Sequence, residues 1–411
     1  MNPTRACVTI VACALLATGP GPCTRVHAAS EVLESEKVAP GLLYGRYRKA
    51  GIIVHAMKMD LRQKDLHIRS IKAIGKETVR QMVDRLNGET RVAAAINGDF
   101  FRFESAAGLP YGVQVSDGRL IFAPLRRSMI GFGPNNEPYI GVVSLKGKVS
   151  FVAKEKRGPV AKWGEIDGVN VLDEENTRLA GTYLYTPAFV QLKTTTARTV
   201  IVILESIEPA LQVGDVCEGT VSAVKTGEGD LKIPDGGCLL HFFGDRAQKQ
   251  VAALRPGHPV AIKLDLPPIA GGVSQAIGGG PRVVRDGKVS VELTKEDFAP
   301  DMLAHLPMRH PRSAIGYDRK KESLYLVMVE GRHAESNGMT FGELGQFLIE
   351  IGCHQAMAFD GGGSSSLYAA GKGIVSYSDG PFVNFEEREI ANGLLITTDE
   401  GSNAEKGSRK K

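Results

Sequence analysis

Ala356-Met-Ala-Phe-Asp360-Gly-Gly-Gly-Ser-Ser-Ser366 is the stretch around which the rest of the chain can be organised. The apolar run 356–359 reads as a buried strand. A carboxylate stands at its end, followed by three glycines and three hydroxyls. Consecutive glycines carry a high conformational-entropy cost, which makes sense where the backbone must come close to a ligand. No lysine is present, so the stretch is not a nucleotide P-loop. Its chemistry suits a polar, anionic group held against bare amides.

Upstream of it, Thr340 and Glu343 form a capping-box pattern. Phe341, Leu344, Phe347, Leu348 and Ile351 recur at helical spacing, and Gly352 supplies a C-cap. Before that helix, Ser313-Ala-Ile-Gly-Tyr-Asp318 and Leu324-Tyr-Leu-Val-Met-Val329 read as a hairpin. Downstream, Asn392-Gly-Leu-Leu-Ile-Thr397 reads as a final strand. In the first third, 51–59 and 66–71 read as strands. Thr78 and Gln81 cap a helix with Val79, Met82, Val83 and Leu86 on one face, and 91–96 is a buried strand. Met57, Met59 and Met82 fit as core fillers. Turn pairs such as Asp117-Gly118 mark hairpins between 108 and 140. Many strands with two helices predict an α+β fold: a mostly antiparallel, barrel-like β-sheet with a few packed helices and a β-rich middle region. The expected organisation is an export signal over 1–28, one domain in two parts over 41–141 and 269–398, a β-rich subdomain or insertion over 142–268, and a flexible basic tail over 399–411.

The chain has 411 residues, 43% of them hydrophobic, so it can bury a large core. A net charge of +4 gives no case for nucleic acid. Arg5, the apolar run 6–18 and Val26-His27-Ala28 make a cleavable export signal. The apolar run is too short for a mature anchor, and no later segment is long enough for a stable membrane span. The mature protein is expected in the periplasm or secreted. Cys7, Cys13 and Cys23 fall within the export segment. In an oxidising compartment Cys217 and Cys238 can bridge across a β-hairpin; alternatively, they and Cys353 are small buried hydrophobes. No Cys/His spacing suggests zinc. The oligomeric state is not legible.

Four further clusters carry polar chemistry beside glycine. Asn97-Gly-Asp99-Phe100-Phe101 reads either as a tight turn or as part of a sugar-binding wall. Gly278-Gly279-Gly280 precedes Pro281 and can bring amides close to a ligand, whereas Asp286-Gly287 is a hairpin turn. Arg312, at the start of a buried strand, has a guanidinium fork that suits a phosphate; a surface arginine or a structural ion pair is the alternative. Glu386-Glu387-Arg388 read alone is a solvated face. His310, His333 and Glu335 fit either a site or a structural role. There is no Gly-x-Ser-x-Gly elbow and no His-Glu-x-x-His. No cofactor is expected, although Asp99, Asp360 and Glu387 together can bind a hard divalent cation.

Together, Asn97-Gly-Asp-Phe-Phe101, Gly279-Gly-Pro-Arg282, Pro311-Arg-Ser-Ala-Ile-Gly316, Asp360-Gly-Gly-Gly-Ser-Ser365 and Glu387-Arg388 through Ala391-Asn392 resemble the phosphodiester glycosidase domain. This is the domain of the enzyme that uncovers mannose 6-phosphate by removing N-acetylglucosamine; bacterial relatives are often labelled exopolysaccharide-associated. The resemblance runs roughly from 54 to 397 and is thin in the middle, where Asn170 and Tyr185-Thr-Pro187 are the echoes. Ser313 stands where the family pattern suggests Thr.

The resemblance implies hydrolysis of a sugar-1-phosphodiester, in a glycan or small glycoside of the envelope or exterior, between the anomeric carbon and the phosphate oxygen. A phosphate monoester leaves easily, so stabilising departing charge matters more than protonating it. Arg312 and Arg388 would hold the phosphate, with amides of Gly279, Gly280, Gly361, Gly362 and Gly363. Asp360 is the first choice to activate water or attack the sugar, Asp99 the second and Glu387 the third. Ser364 and Ser365 would donate hydrogen bonds, Asn97 and Ser313 would complete the binding wall, and Phe100 would face the sugar ring. Two other classes fit the same residues: a non-catalytic periplasmic protein that binds anionic glycan in exopolysaccharide assembly, and a metal-dependent phosphodiesterase, which cleaves the P–O bond.

Overall fold

The computed structural model describes residues 29–399 apart from 106, 156–157, 172–179, 190, 195–198, 228, 270–271, 334–335 and 379–385. The export signal, the tail beyond 399 and Glu335 lie outside the described residues. Three antiparallel sheets wrap around one core. The largest runs, in spatial order, Glu31–Ala39, Leu42–Lys49, Ile52–Asp60, Ser323–Val329, Arg312–Tyr317, Gln355–Ala358, Arg282–Arg285 and Lys288–Val289. The second runs Gly373–Tyr377, Ser366–Ala369, Arg91–Asn97, Ile390–Thr398 and Leu66–Glu77. The third runs Arg119–Phe122, Gln114–Ser116, Gln275–Gly278, Ser128–Phe132 and Pro138–Val142. Met57, Leu326 and Met357 from the first sheet meet Ile96, Leu367 and Leu394 from the second and Ile130, Phe132 and Ile277 from the third. The expected barrel-like, mostly antiparallel α+β fold is borne out.

Both capping boxes form. Thr78 Oγ1 accepts from Gln81 N at 3.0 Å and the Gln81 side chain accepts from Thr78 N at 2.8 Å, starting the helix Val79–Leu86. Thr340 and Glu343 do the same for Phe341–Glu350. Gly352, at φ +111°, follows that helix where a left-handed residue is needed. Two short helices, Asp245–Val251 and Pro300–His305, add to the two expected. Neither has a side-chain cap; Pro300 at the first position is the start signal of the second. Among the described residues no helix is long and apolar enough to cross a membrane.

Residues 146–265 supply a second eight-stranded sheet and the small pair Gln191–Thr194 with Gly229–Lys232. Its Phe151, Val202, Leu240 and Ile262 pack on Val115, Met129 and Ala276 of the third barrel sheet. The chain leaves and returns at one place: Lys146 lies opposite Asp265, and Ser144 N donates to Pro267 O at 3.1 Å. Cys217 and Cys238 are free and buried, as is Cys353. The bridge across a hairpin is corrected: the strands Val216–Thr226 and Cys238–Phe243 lie on opposite sides of Thr199–Glu208 instead of pairing with each other.

Candidate active site

The strands bearing the motifs end at one pole of the barrel. Asn97 closes Arg91–Asn97, Gly278 closes Gln275–Gly278, and Arg312 and Ser313 open Arg312–Tyr317. Asp360 follows Gln355–Ala358, and Asn392 lies near the start of Ile390–Thr398. Asn97 is the hub. Its Nδ2 donates to Asp360 O at 2.7 Å, while its Oδ1 accepts from Ser313 Oγ at 2.6 Å and Ser366 N at 3.2 Å. Asp360 N donates to Gly98 O at 2.9 Å, and Asp99 N to Asn392 Oδ1 at 2.9 Å. A Cβ on Gly98 would stand 2.3 Å from Ile277 and 2.5 Å from Asn392 Oδ1, so nothing larger fits between these strands.

Two carboxyls occupy the pole. Asp99 is buried; its Oδ2 accepts from Gly112 N at 2.5 Å, and its Oδ1 is buried without a hydrogen-bond partner among the described residues. Burial pushes its pKa up to about 7; Arg127 and the amides of Gly112 and Phe100 pull against this, and the charge of Asp360 adds a smaller upward push. Asp360 is partly exposed. Its pKa is also pushed up by burial, to about 6, against the opposing influence of Ser364, Arg388, the Gly361 amide and Arg127. Ser364 Oγ therefore lies close enough to act on Asp360, yet it makes no hydrogen bond of normal geometry. Ser364 Oγ and Ser365 Oγ are both buried and unsatisfied among the described residues. Buried polar atoms without partners are rare in folded proteins, and those at this pole are free to meet a polar group.

Sequence reasoning missed Arg127. It is buried, with Nε donating to Asp297 O at 2.7 Å and Nη1 unsatisfied among the described residues. Its guanidinium lies 4.3 Å from the Phe298 ring centroid, 5.4 Å from Tyr111 and 5.5 Å from Phe100. This aromatic box holds a cation beside both acids. No motif announces it, because the box is assembled from residues far apart in the chain.

Other expected residues are brought to the pole in roles that differ from the expectation. Phe100 is turned into the Arg127 box, edge-on to Phe298 at 5.6 Å, and is buried instead of walling a sugar. Arg312 is buried, with Nε donating to Met339 O at 2.9 Å and Nη2 to Leu306 O at 2.7 Å and Met308 O at 2.5 Å; its plane lies 3.9 Å from the Phe341 centroid. Burial pulls its pKa down to about 9. Three of its donors are thus spent on main chain. Gly280 N donates to Ala358 O, so that amide is taken. The glycines are there for space: a Cβ would meet Asp99 at Gly278, Met357 and Ala358 O at Gly279, and Glu296 at Gly280.

Gly361 faces Pro311 O and Gly362 faces Arg332, while Gly362 N donates to Pro311 O; Gly363 is buried in the same turn. Glu387 Oε1 accepts from Ser366 Oγ at 2.8 Å and from Arg80 N at 3.3 Å, at the start of Val79–Leu86. Burial raises its pKa. Arg388 acts on Asp360 and lies 5.7 Å from the Phe103 ring centroid. Among the described residues no group of three or more His, Cys, Asp or Glu side chains is placed to hold a metal ion.

The pole thus holds two carboxyls, one more exposed than the other, with Arg127 and Arg388 acting on Asp360 and the Ser364 and Ser365 hydroxyls at the same turn. The family model described as phosphodiester glycosidase matches residues 212–397, so the resemblance drawn from the motifs is borne out over that span. Two solved structures share the fold. A hypothetical protein from Synechocystis has 22% identity and a TM-score of 0.69, covering 90% of this chain and 64% of that one. A putative exported protein from Burkholderia pseudomallei K96243 has 20% identity and a TM-score of 0.60, covering 86% and 74%. The SPbeta prophage-derived uncharacterized protein YomE of Bacillus subtilis (strain 168) is 40% identical over 94 residues, which is 23% of this chain and 14% of that one. The chain therefore spans less than two thirds of the Synechocystis protein and about a seventh of YomE.

Proposed function

We propose that this protein is an exported phosphodiester glycosidase that hydrolyses a sugar-1-phosphodiester of envelope or extracellular glycan at the anomeric C–O bond. The observation that carries the reading is the pair Asp99 and Asp360 beside Nη1 of Arg127, which has no partner among the described residues. The N-terminal charged, apolar and small-residue segments support export.

Asp360, partly exposed and with the lower pKa, is the carboxylate that activates water or attacks C1. Asp99, held as the acid near neutrality, donates a hydrogen bond toward the departing phosphate oxygen. Arg127 and Arg388 offset charge as the C1–O bond breaks and its electron pair leaves on the phosphate monoester. The oxygen of water ends on C1. Ser364 and Ser365 supply hydroxyl donors at the same place.

The test is hydrolysis of a panel of sugar-1-phosphodiesters in oxygen-18 water, with and without chelator. Label in the released sugar supports the proposal. Label in the phosphate, with activity lost on chelation, would replace it with a metal-dependent phosphodiesterase. Glycan binding without turnover would replace it with a binding protein.

A further inference from the structure

The end of the barrel opposite the acid pole is a basic bowl. Asp60 pairs with Ser323 there, whereas Val54 pairs with Val329, which in turn pairs with Arg312. The residue steps from Val54 to Asp60, at ~3.4 Å each, put roughly 20 Å between the two ends. Three turns meet at this far end: 61–65, which joins the first sheet to the second, 133–137 in the third sheet, and 318–322 in the first. They are tied together. Leu61 N donates to Glu322 O at 2.8 Å, Asn136 Nδ2 to Leu66 O at 3.4 Å, and Lys321 Nζ to Glu137 Oε1 at 3.0 Å. Together they shape an open cavity of about 700 Å³. Arg62, Lys64, His67, Lys320 and Lys321 line it, against a single acid among the described residues, Glu137. Arg62 is paired to Asp60 at 2.9 Å and to Glu322 at 3.5 Å, and His67 to Asp399 at 3.1 Å. Lys64 and Lys320 are exposed and have no ion-pair partner among the described residues.

The bowl thus carries an excess of positive charge in a concave, preformed wall. Gln63, Asn135 and Asn136 add side-chain amides, which both donate to and accept from hydroxyls. The apolar members of the lining are the buried Leu61 and Pro134, so the bowl presents no apolar face to a bilayer. Among the described residues no aromatic side chain lines it, so nothing there stacks on a nucleobase. Cations for acid groups and amides for hydroxyls are the complement of an acidic sugar. We propose that this bowl binds a short stretch of acidic sugar units, and so holds the protein on an anionic glycan while the Asp360 pole stays open. The proposal stands apart from the hydrolase reading, because no residue of the bowl reaches the acids.

The experiment titrates the full chain with hexagalacturonate, with uncharged isomaltohexaose, with phosphatidylglycerol vesicles and with inorganic phosphate. The wild type is expected to bind hexagalacturonate, less tightly as salt is added, and to leave isomaltohexaose free. Lys64→Glu combined with Lys320→Glu should weaken that binding about tenfold or more. The unfolding midpoint, and any turnover of a small sugar-1-phosphodiester, should not move. Lys225→Glu combined with Lys232→Glu, at two exposed lysines of the outer sheets, changes the net charge equally and should bind as the wild type does. Equal weakening in both double variants would trace the binding to bulk charge and overturn the proposal. No binding of hexagalacturonate, or binding of the vesicles in its place, would also overturn it. Binding of inorganic phosphate without the hexasaccharide would mark an adventitious ion only and overturn it too.

Discussion

Asn97 fastens Asp360 by its main chain and not by its carboxyl: Asn97 Nδ2 meets the Asp360 carbonyl oxygen at 2.7 Å. The acid is positioned through its main chain, and its carboxyl is left to Ser364, Arg388 and the Gly361 amide. The Asn97 side-chain amide also accepts from Ser313 Oγ and Ser366 N, so one side chain ties three strand ends. Asn97→Ala removes all three bonds in a buried setting and is expected to cost about 2–4 kcal/mol. Denaturant unfolding measures it. A loss under about 0.5 kcal/mol, the usual size of a surface change, would show that the pole is held by other means.

Activity should pass through a maximum near neutrality. It requires Asp360 ionised, hence the rise through about 6, and Asp99 protonated, hence the fall beyond about 7. Asp360→Asn should abolish turnover with the fold retained. Asp99→Asn should remove the alkaline limb and lower kcat by roughly 10²–10⁴-fold. A pH–rate profile of each variant checks this, and an unchanged alkaline limb in Asp99→Asn would assign that limb elsewhere.

The same acid sets a stability slope. Folding raises Asp99 from an ordinary carboxyl near 3.9 to about 7. The folded state therefore binds the proton more tightly than the unfolded chain. This stabilisation is fully present below about pH 4 and is lost as pH rises toward about 7. Between those values the wild-type unfolding free energy should fall relative to Asp99→Asn. Parallel curves for the two proteins would contradict the buried, singly bonded carboxyl.

Two buried arginines should respond in opposite ways. Arg312 holds three carbonyls, so Arg312→Ala is expected to cost about 3 kcal/mol or more in stability through unsatisfied main chain. Arg127→Gln should leave much of the fold intact, reduce kcat/KM by about 10²-fold or more, and shift the alkaline limb upward, since Arg127 pulls the Asp99 pKa down. Kinetics and unfolding on both variants separate the roles.

Glu387 should behave as a helix anchor. The helix Val79–Leu86 has no acid in its own first turn, and Glu387 supplies one from across the fold. Glu387→Gln is expected to cost about 1 kcal/mol with kcat within about threefold. A loss of kcat comparable to Asp360→Asn would return Glu387 to the catalytic set.

What could be read from the residues was whatever local chemistry states. Thr78 with Gln81 and Thr340 with Glu343 announce helix starts because the cap lies within one turn. Asp360 announces itself by standing between an apolar run and glycines. Gly278 to Gly280 were legible as unusual but not in purpose: their neighbours Asp99, Met357 and Glu296 come from distant segments, and only the packed structure shows that bulk is excluded there. Arg127 was invisible for the same reason. Its three aromatic partners stand at 100, 111 and 298, so Leu125-Arg-Arg-Ser128 looks like ordinary surface. Arg312 was singled out as a phosphate ligand at the start of a buried strand, but the carbonyls that use its donors lie in loops with no signature.

The chain enters and leaves the outer sheet at one place, where Lys146 lies opposite Asp265 and Ser144 meets Pro267, while Val213 N donating to Gly118 O and a shared core hold the sheet against the barrel. An insertion with a common entry and exit can be lengthened or exchanged without re-threading a barrel strand. The two halves of the molecule are thus open to separate histories. Selection can reshape the outer sheet toward a new surface or neighbour while Asp99, Arg127 and Asp360 stay where the barrel holds them.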